Sequence, residues 1–281
     1  MTKKIVTKAD QYYKQNLYKL ITKGNKDENP RPKYKDGTPA NSIFITQVFE
    51  EYDIEKGEYP FTSLRNTAVK SGIKEIFWIY QQQSSKLEDA KKLGINWWDE
   101  WEIGNGTIGQ RYGATVRKWD LMNKLLHGLK YNPFGRRHIM NLYQESDLLE
   151  SDGLYPCAFE TIWAVRKEKD QFILDMTLIQ RSSDYIMANW INKAQYYGLM
   201  LMVASDLGYK VGKFCHYVHN LHIYDRHLNA ANEIFKREPL ESQPSISLIN
   251  SKSFYEFKIE DFSFENFDKP QKLQSELEIA I

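Results

Sequence analysis

The residue best suited to covalent chemistry is Cys157, in Leu154-Tyr155-Pro156-Cys157-Ala158. A thiol just after a proline, at the mouth of an expected strand, sits where a loop exposes it. To react, such a thiol needs a positive neighbour that holds the thiolate. Arg181, in Gln180-Arg181-Ser182-Ser183-Asp184, ends the expected partner strand, so a hairpin would return it beside Cys157. The plainer alternative is a buried structural cysteine. Arg136 and Arg137 follow Asn132-Pro133-Phe134-Gly135 and offer forked donors to a phosphate, or else form a solvated basic pair. Glu75 stands one step from the apolar run Ile76-Phe77-Trp78. A carboxyl half-buried there would have a raised pKa and could hold or relay a proton near neutrality. An exposed Glu75 paired to Lys70 or Lys74 fits the spacing equally well.

Four of the six histidines fall in Phe214-Cys215-His216-Tyr217-Val218-His219-Asn220-Leu221-His222 and the residues just after it, ending at His227. Strand alternation puts His216 and His222 on one face and His219 and His227 on the other. A metal needs convergent ligands, and no HExxH or CxxC pattern supplies them, so no metal is expected. His222 and Tyr224 share a face and could present two hydrogen-bonding tips to a ligand, or be two satisfied core residues. Trp97-Trp98-Asp99-Glu100-Trp101 could stack a planar ring or simply fill the core. Its flanking acids argue against single-stranded nucleic acid, which needs a basic track.

These residues need a scaffold, and 281 residues suffice for one or two domains with a large core. The 38 Lys and Arg nearly cancel 37 Asp and Glu, leaving +1, so no global charge points to DNA or a membrane surface. The most apolar stretch, residues 196–204, is far short of the ~20 residues needed to span a bilayer. With only Cys157 and Cys215 there is no disulfide framework, and a reducing cytoplasm is the expected home.

Helices are expected at 5–22, at 63–82 with Ser63 as N-cap and Ile73, Phe77 and Tyr80 on one stripe, at 86–93, from an Asp120 cap to about His127, at 185–206, and at 226–237. Strands are expected at 42–49, 138–143, 157–166, 171–181, 210–224, 245–249 and 254–259, with a hairpin around Lys167-Glu168-Lys169-Asp170. Helices and strands do not alternate regularly, which argues for one α+β domain over 1–281 rather than a doubly wound sheet.

In order along the chain, several pieces resemble the folate-dependent thymidylate synthase family. They are Lys74-Glu75-Ile76, Trp98-Asp99-Glu100-Trp101, Tyr112-Gly113, Asn132-Pro133-x-x-Arg136-Arg137, Pro156-Cys157, Gln180-Arg181-Ser182-x-Asp184, Asn192, His222-Ile223-Tyr224-x-x-His227, Arg237-Glu238-Pro239 and Ala280-Ile281. The resemblance implies a mixed β-sheet flanked by helices, with two such sheets packed face to face in a homodimer. It implies reductive methylation of dUMP to dTMP, with 5,10-methylenetetrahydrofolate as co-substrate and no metal. Cys157 would attack C6 of uracil, Arg181 would hold the thiolate and touch phosphate, and Tyr112 would help remove the C5 proton. Glu75 would organise protons near O4, and Asn192 would read the pyrimidine edge. Arg31 and Ser182 would bind phosphate with Arg136 and Arg137 of the neighbouring subunit, while His222 and Tyr224 hold the ribose hydroxyl. Asp184 and Trp98 would meet the pterin, and the Ile281 carboxylate would help close the site. The sequence departs from the commonest family pattern at Ala158, at Ala188-Asn189-Trp190-Ile191 and at Val218-His219-Asn220. A pyrimidine-nucleotide hydroxymethylase of the same superfamily and a catalytically silent RNA-binding relative are the rival readings.

Overall fold

The computed structural model describes residues 7–280. Helix α1 (Lys8–Lys23) starts at Thr7, whose hydroxyl accepts the Asp10 N–H at 3.1 Å. Its apolar stripe, Ala9, Tyr13, Leu17 and Leu20, is fully buried, as the helical period requires. Asp10 is buried too and takes the Ser63 N–H and hydroxyl at 2.8 and 2.6 Å. Ser63 therefore caps no helix. The expected helix 63–82 begins only at α2 (Val69–Ile76) and ends in a π-helical turn at Phe77–Gln81. That wide turn still buries Ile73, Phe77 and Tyr80.

A six-stranded sheet forms the other layer, from β1 (Asn25–Asp27), β2 (Ser42–Asp53), β3 (Ile139–Asn141), β4 (Ala158–Glu168), β5 (Gln171–Asp184) and β6 (Lys210–Tyr224). Its order is β1-β2-β6-β5-β4-β3, with β5 and β6 parallel and the remaining pairs antiparallel. The mixed α+β sheet flanked by helices is thus present. β4 and β5 form the expected hairpin, with Lys169 at φ +54° in its turn. β5 runs three residues beyond the expected end, which carries Ser182, Ser183 and Asp184 onto the sheet beside Asn220, Leu221 and His222.

Between β5 and β6 runs the longest helix, α7 (Asn189–Leu207), with nearly every side chain from Lys193 to Ala204 buried. A helix apolar all round belongs inside. It packs closely on α2, since a Cβ at Gly198 would lie 2.2 Å from Ile73 Cδ1. The remaining helices are α3 (Leu87–Lys92), α4 (Gly113–Lys118), α5 (Leu121–Tyr131), α6 (Glu145–Glu150) and α8 (Leu228–Lys236). β1, α4 and α6 have no counterpart in the sequence reading. Asp120 precedes α5 at φ +50° without a side-chain cap bond; its carboxylate takes the Asn123 amide instead. The expected strand 254–259 is absent. Two 3₁₀ turns occupy Phe254–Glu256 and Ile259–Asp261, and β8 (Phe262–Glu265) pairs with β7 (Ser245–Leu248). Side-chain carboxylates take the Phe254 and Lys258 N–H groups at 2.8 Å each, which withdraws that backbone from a ladder.

Candidate active site

Cys157 sits just before β4, and its carbonyl accepts the Arg181 N–H at 3.0 Å. That bond closes the open end of the hairpin and fixes Arg181 beside the thiol. The guanidinium is clamped by two carbonyls, Nε on Pro156 at 3.0 Å and Nη2 on Tyr155 at 2.7 Å. Nη2 then lies 3.5 Å from Cys157 Sγ. Burial pushes the thiol pKa up, while the charges of Arg181 and Arg31 pull it down. The group is therefore held mostly as thiol, with two cations in place to favour the thiolate.

Tyr112 approaches from the other side, its hydroxyl oxygen accepting the Cys157 N–H at 3.3 Å. Its backbone is at φ +46°, unusual for an aromatic residue, and the next residue accounts for it. A Cβ at Gly113 would fall 2.2 Å from the Ser84 carbonyl oxygen, so only glycine lets the chain pass there. Trp98 packs edge-on against Tyr112 with centroids 5.1 Å apart.

Glu75, on α2, is buried at 5% exposure. Burial raises its pKa to about 7, against the neighbouring Trp97, Trp98 and Gln195 donors, which lower it. The Trp97 indole N–H donates to Oε2 at 2.6 Å. The exposed, Lys-paired alternative for Glu75 is excluded.

On α7, Asn192 accepts from Gln180 Nε2 at 3.1 Å and donates to Gln195 Oε1 at 2.8 Å. Gln180 Oε1 in turn lies 2.6 Å from His216 Nε2. Asp184 accepts the Ile186 and Met187 N–H groups at 2.9 and 3.1 Å, which shapes the turn into α7. His222 faces Ser182 and Asn220 at 3.4 and 3.3 Å, and its ring lies 4.9 Å from that of Tyr224.

One cleft of 690 Å³ gathers Arg31, Glu75, Trp98, Tyr112, Cys157, Arg181, Ser182, Asp184, Asn192, His222 and Tyr224, together with Ile279 and Ala280. Eleven of the fourteen sequence-derived site residues thus meet in one place. Arg136 and Arg137 do not line it; they are exposed, just before β3 at the far edge of the sheet. Ile281 lies outside the described residues. The sequence reading names Trp97 only within an aromatic cluster, Gln180 only within the Arg181 motif and His216 only as a metal candidate, and omits Gln195, whose place three residues after Asn192 on the same helical face is its one signal.

The four clustered histidines go to separate partners: His216 to Gln180, His219 to Gln47, His222 to Ser182, and His227 to Asp184 and the Glu278 carbonyl. Among the described residues no group of three or more His, Cys, Asp or Glu is placed to hold a metal. No described helix is long and apolar enough to cross a membrane.

The cleft joins a thiol with two cations nearby, a guanidinium, a carboxyl that titrates near neutrality and an amide that can read a ring edge. Such a set suits covalent addition to an electron-poor ring. The family profile "Thymidylate synthase" matches residues 11–279. The chain is 49% identical over 280 residues to the thymidylate synthase of Lactococcus lactis subsp. cremoris (strain SK11), covering 98% of this chain and 100% of that protein. It is 46% identical, with the same coverage, to the enzyme of that name from Streptococcus pneumoniae (strain 70585). Among solved structures, thermostable thymidylate synthase A from Bacillus subtilis superposes with a TM-score of 0.88 at 32% identity, over 97% of this chain and 99% of that one.

Proposed function

The chain belongs to the thymidylate synthase family and is a methyltransferase of dTMP synthesis; from that premise we propose that Cys157 is its nucleophile. The thiolate sulfur bonds to C6 of dUMP, and the C5–C6 π pair moves to C5, delocalised onto O4. C5, now enolate-like, takes the one-carbon unit of 5,10-methylenetetrahydrofolate. Loss of the C5 proton, aided by Tyr112, which lies against Cys157, expels the folate N5 from the transferred carbon and leaves an exocyclic methylene and tetrahydrofolate. Hydride from the same folate completes the methyl group, the S–C6 bond breaks, and dTMP and dihydrofolate leave.

The observation that carries this reading is the 3.5 Å approach of Arg181 to Cys157 Sγ in a cleft that Glu75, Tyr112 and Asn192 also line. Glu75, with its pKa about 7, exchanges a proton with solvent near the ring's O4 at little cost. Asn192 reads O4 and N3–H. Arg31, Arg181 and Ser182 hold the phosphate, His222 and Tyr224 the ribose hydroxyl, and Trp98 and Asp184 the pterin. Ile279 and Ala280 line the cleft, and the Ile281 carboxylate would help close it over the folate.

Arg136 and Arg137 complete the phosphate site of a second copy in a homodimer whose sheets pack face to face. Their exposure outside their own chain's cleft supports this, as do exposed Tyr131, Phe134, Ile139 and Ile162 around them. Cys157 and Cys215, both unpaired, fit a reducing cytoplasm.

The test is the purified protein with dUMP and 5,10-methylenetetrahydrofolate, followed by the absorbance rise that dihydrofolate brings. Exocyclic carbon transfer without that rise would mean that water finishes the reaction, as in a hydroxymethylase. Growth of a thymine-requiring strain carrying the gene, without added thymine, is the independent check.

A further inference from the structure

Behind Asn192 the buried polar groups form one directed run. His216, at 1% exposure, faces the fully buried Gln180 at 2.6 Å; Gln180 donates to Asn192, and Asn192 to Gln195. At the far end Gln195 gives its amide oxygen to Asn192, which leaves its amide nitrogen for the side of Glu75, whose pKa it lowers.

The near end is fixed by an orphan. His216 Nδ1 is buried without a partner. In the run as drawn Nε2 carries the proton and Nδ1 is a bare lone pair. Reversing the run would put the proton on Nδ1, leaving a buried N–H with no acceptor, which proteins rarely tolerate. Burial, and after it the nearby Lys193, which pairs with buried Glu50 at 2.5 Å, disfavours a second proton on His216. Glu50 stands directly opposite His216 in the β2–β6 register.

We propose that His216 is a specificity-determining positioning residue, whose Nε2–H orients the Gln180 amide and through it the donor–acceptor order that Asn192 shows the base. The proposal rests on Asn192 reading the pyrimidine. With its outer acceptor and donor sites occupied by Gln180 and Gln195, Asn192 offers the cleft one lone pair beside one N–H. That pattern matches N3–H and O4 of uracil and opposes N3 and N4–H of cytosine. Discrimination against dCMP therefore originates in a side chain that never touches substrate.

The first measurement uses the wild-type protein labelled with 15N-histidine: the His216 resonances should report the Nε2–H tautomer, and the Nδ1–H tautomer would overturn the proposal. Next come kcat/KM values for dUMP and dCMP, with thermal melts to verify folding. In His216→Leu the dUMP preference should fall about tenfold, because the Gln180 amide is free to turn. His216→Gln, which can still donate, should keep it. His216→Glu, an acceptor only, should move the ratio further toward dCMP than Leu does. A folded Leu variant with a wild-type ratio rejects the role of His216. Asn192→Asp separates the two layers. If it shifts the ratio and His216→Leu does not, only the positioning idea fails; if it leaves the ratio unchanged, the base-reading role of Asn192 fails instead. Should the Leu and Glu variants not fold, the labelled wild type still decides.

Discussion

The floor and the mouth of the cleft are built on opposite principles. The floor consists of Glu75, Asn192 and Gln195 on α2 and α7, backed by Gln180 and His216 on the two central strands. These groups are buried or nearly so and hydrogen-bonded to one another. The mouth consists of Arg31 on a loop, Arg181 at a strand end, and the segment around Glu278 to Ala280. Its charges stay partly in water. Desolvating a cation is expensive, so cations that must bind and release an anion are best kept near solvent. A buried amide facing the wrong partner costs about 1–3 kcal/mol, so selection is best done at the floor. On the proposed reading the mouth supplies affinity and chemistry, and the floor supplies choice.

The largest effect should come where floor and mouth meet. Cys157→Ser should reduce turnover by roughly three orders of magnitude or more, since a hydroxyl at neutral pH is a far weaker nucleophile than an arginine-supported thiolate. Binding of dUMP, measured by calorimetry, should persist because the phosphate cations remain. Substantial turnover in the purified variant would remove Cys157 from the mechanism. The second test asks whether the mouth is completed by another chain. Inactive Cys157→Ser protein mixed with inactive Arg136→Ala protein should recover up to about a quarter of wild-type activity, because half the dimers are hybrids with one intact site of two. No recovery after demonstrated subunit exchange would mean that one chain builds the whole site.

The same division explains what the sequence could and could not disclose. Cys157 beside Arg181 was legible because a hairpin is a local structure whose register can be counted from its turn. Glu75 was half legible: periodicity near an apolar run does not say on which side of the boundary a single carboxyl falls. The run from His216 to Gln195 was legible only in its Asn192–Gln195 step. It depends on the parallel β5–β6 register, which puts Gln180 beside Val218, and on α7 lying across both strands. Arg136 and Arg137 show the converse, being conspicuous as a pair yet lying outside the cleft of their own chain. The 254–259 segment failed for a local reason, since Asp206 and Asp261 take backbone donors that a strand would need.

A third test separates floor from mouth by pH. The folded-state pKa of Glu75 is about 7, against 4.5 for the group unperturbed. The folded protein thus holds this proton more tightly than the unfolded chain does. The resulting stability is fully present below 4.5 and is lost as pH rises through 7, a change of about 3 kcal/mol. Glu75→Gln removes the titration, so the wild type should lose that much relative to the variant between pH 4.5 and 8 in urea melts. Parallel stability curves would show that Glu75 titrates normally.

The smallest effect should come from the outermost part of the mouth. The chain near residue 278 is tied down before it reaches the cleft: Arg226 pairs with Glu278 and Asp36, each at 2.6 Å, and lies 3.9 Å from the Tyr34 ring centroid. The buried His227 ring sits 2.9 Å from the Glu278 carbonyl oxygen. Ile279 and Ala280 therefore line the cleft whether or not anything follows them. Removing Ile281 should leave this tether and the floor untouched, so dUMP binding should not change. What should suffer is exclusion of water once folate is bound, which acts on the steps after ring addition. A loss of roughly threefold to tenfold in kcat with an unchanged dUMP Kd is the expected pattern for a closing group. An equal loss in dUMP affinity would place the effect at the nucleotide instead. Wild-type kcat and folate KM would mean that the tether alone closes the mouth.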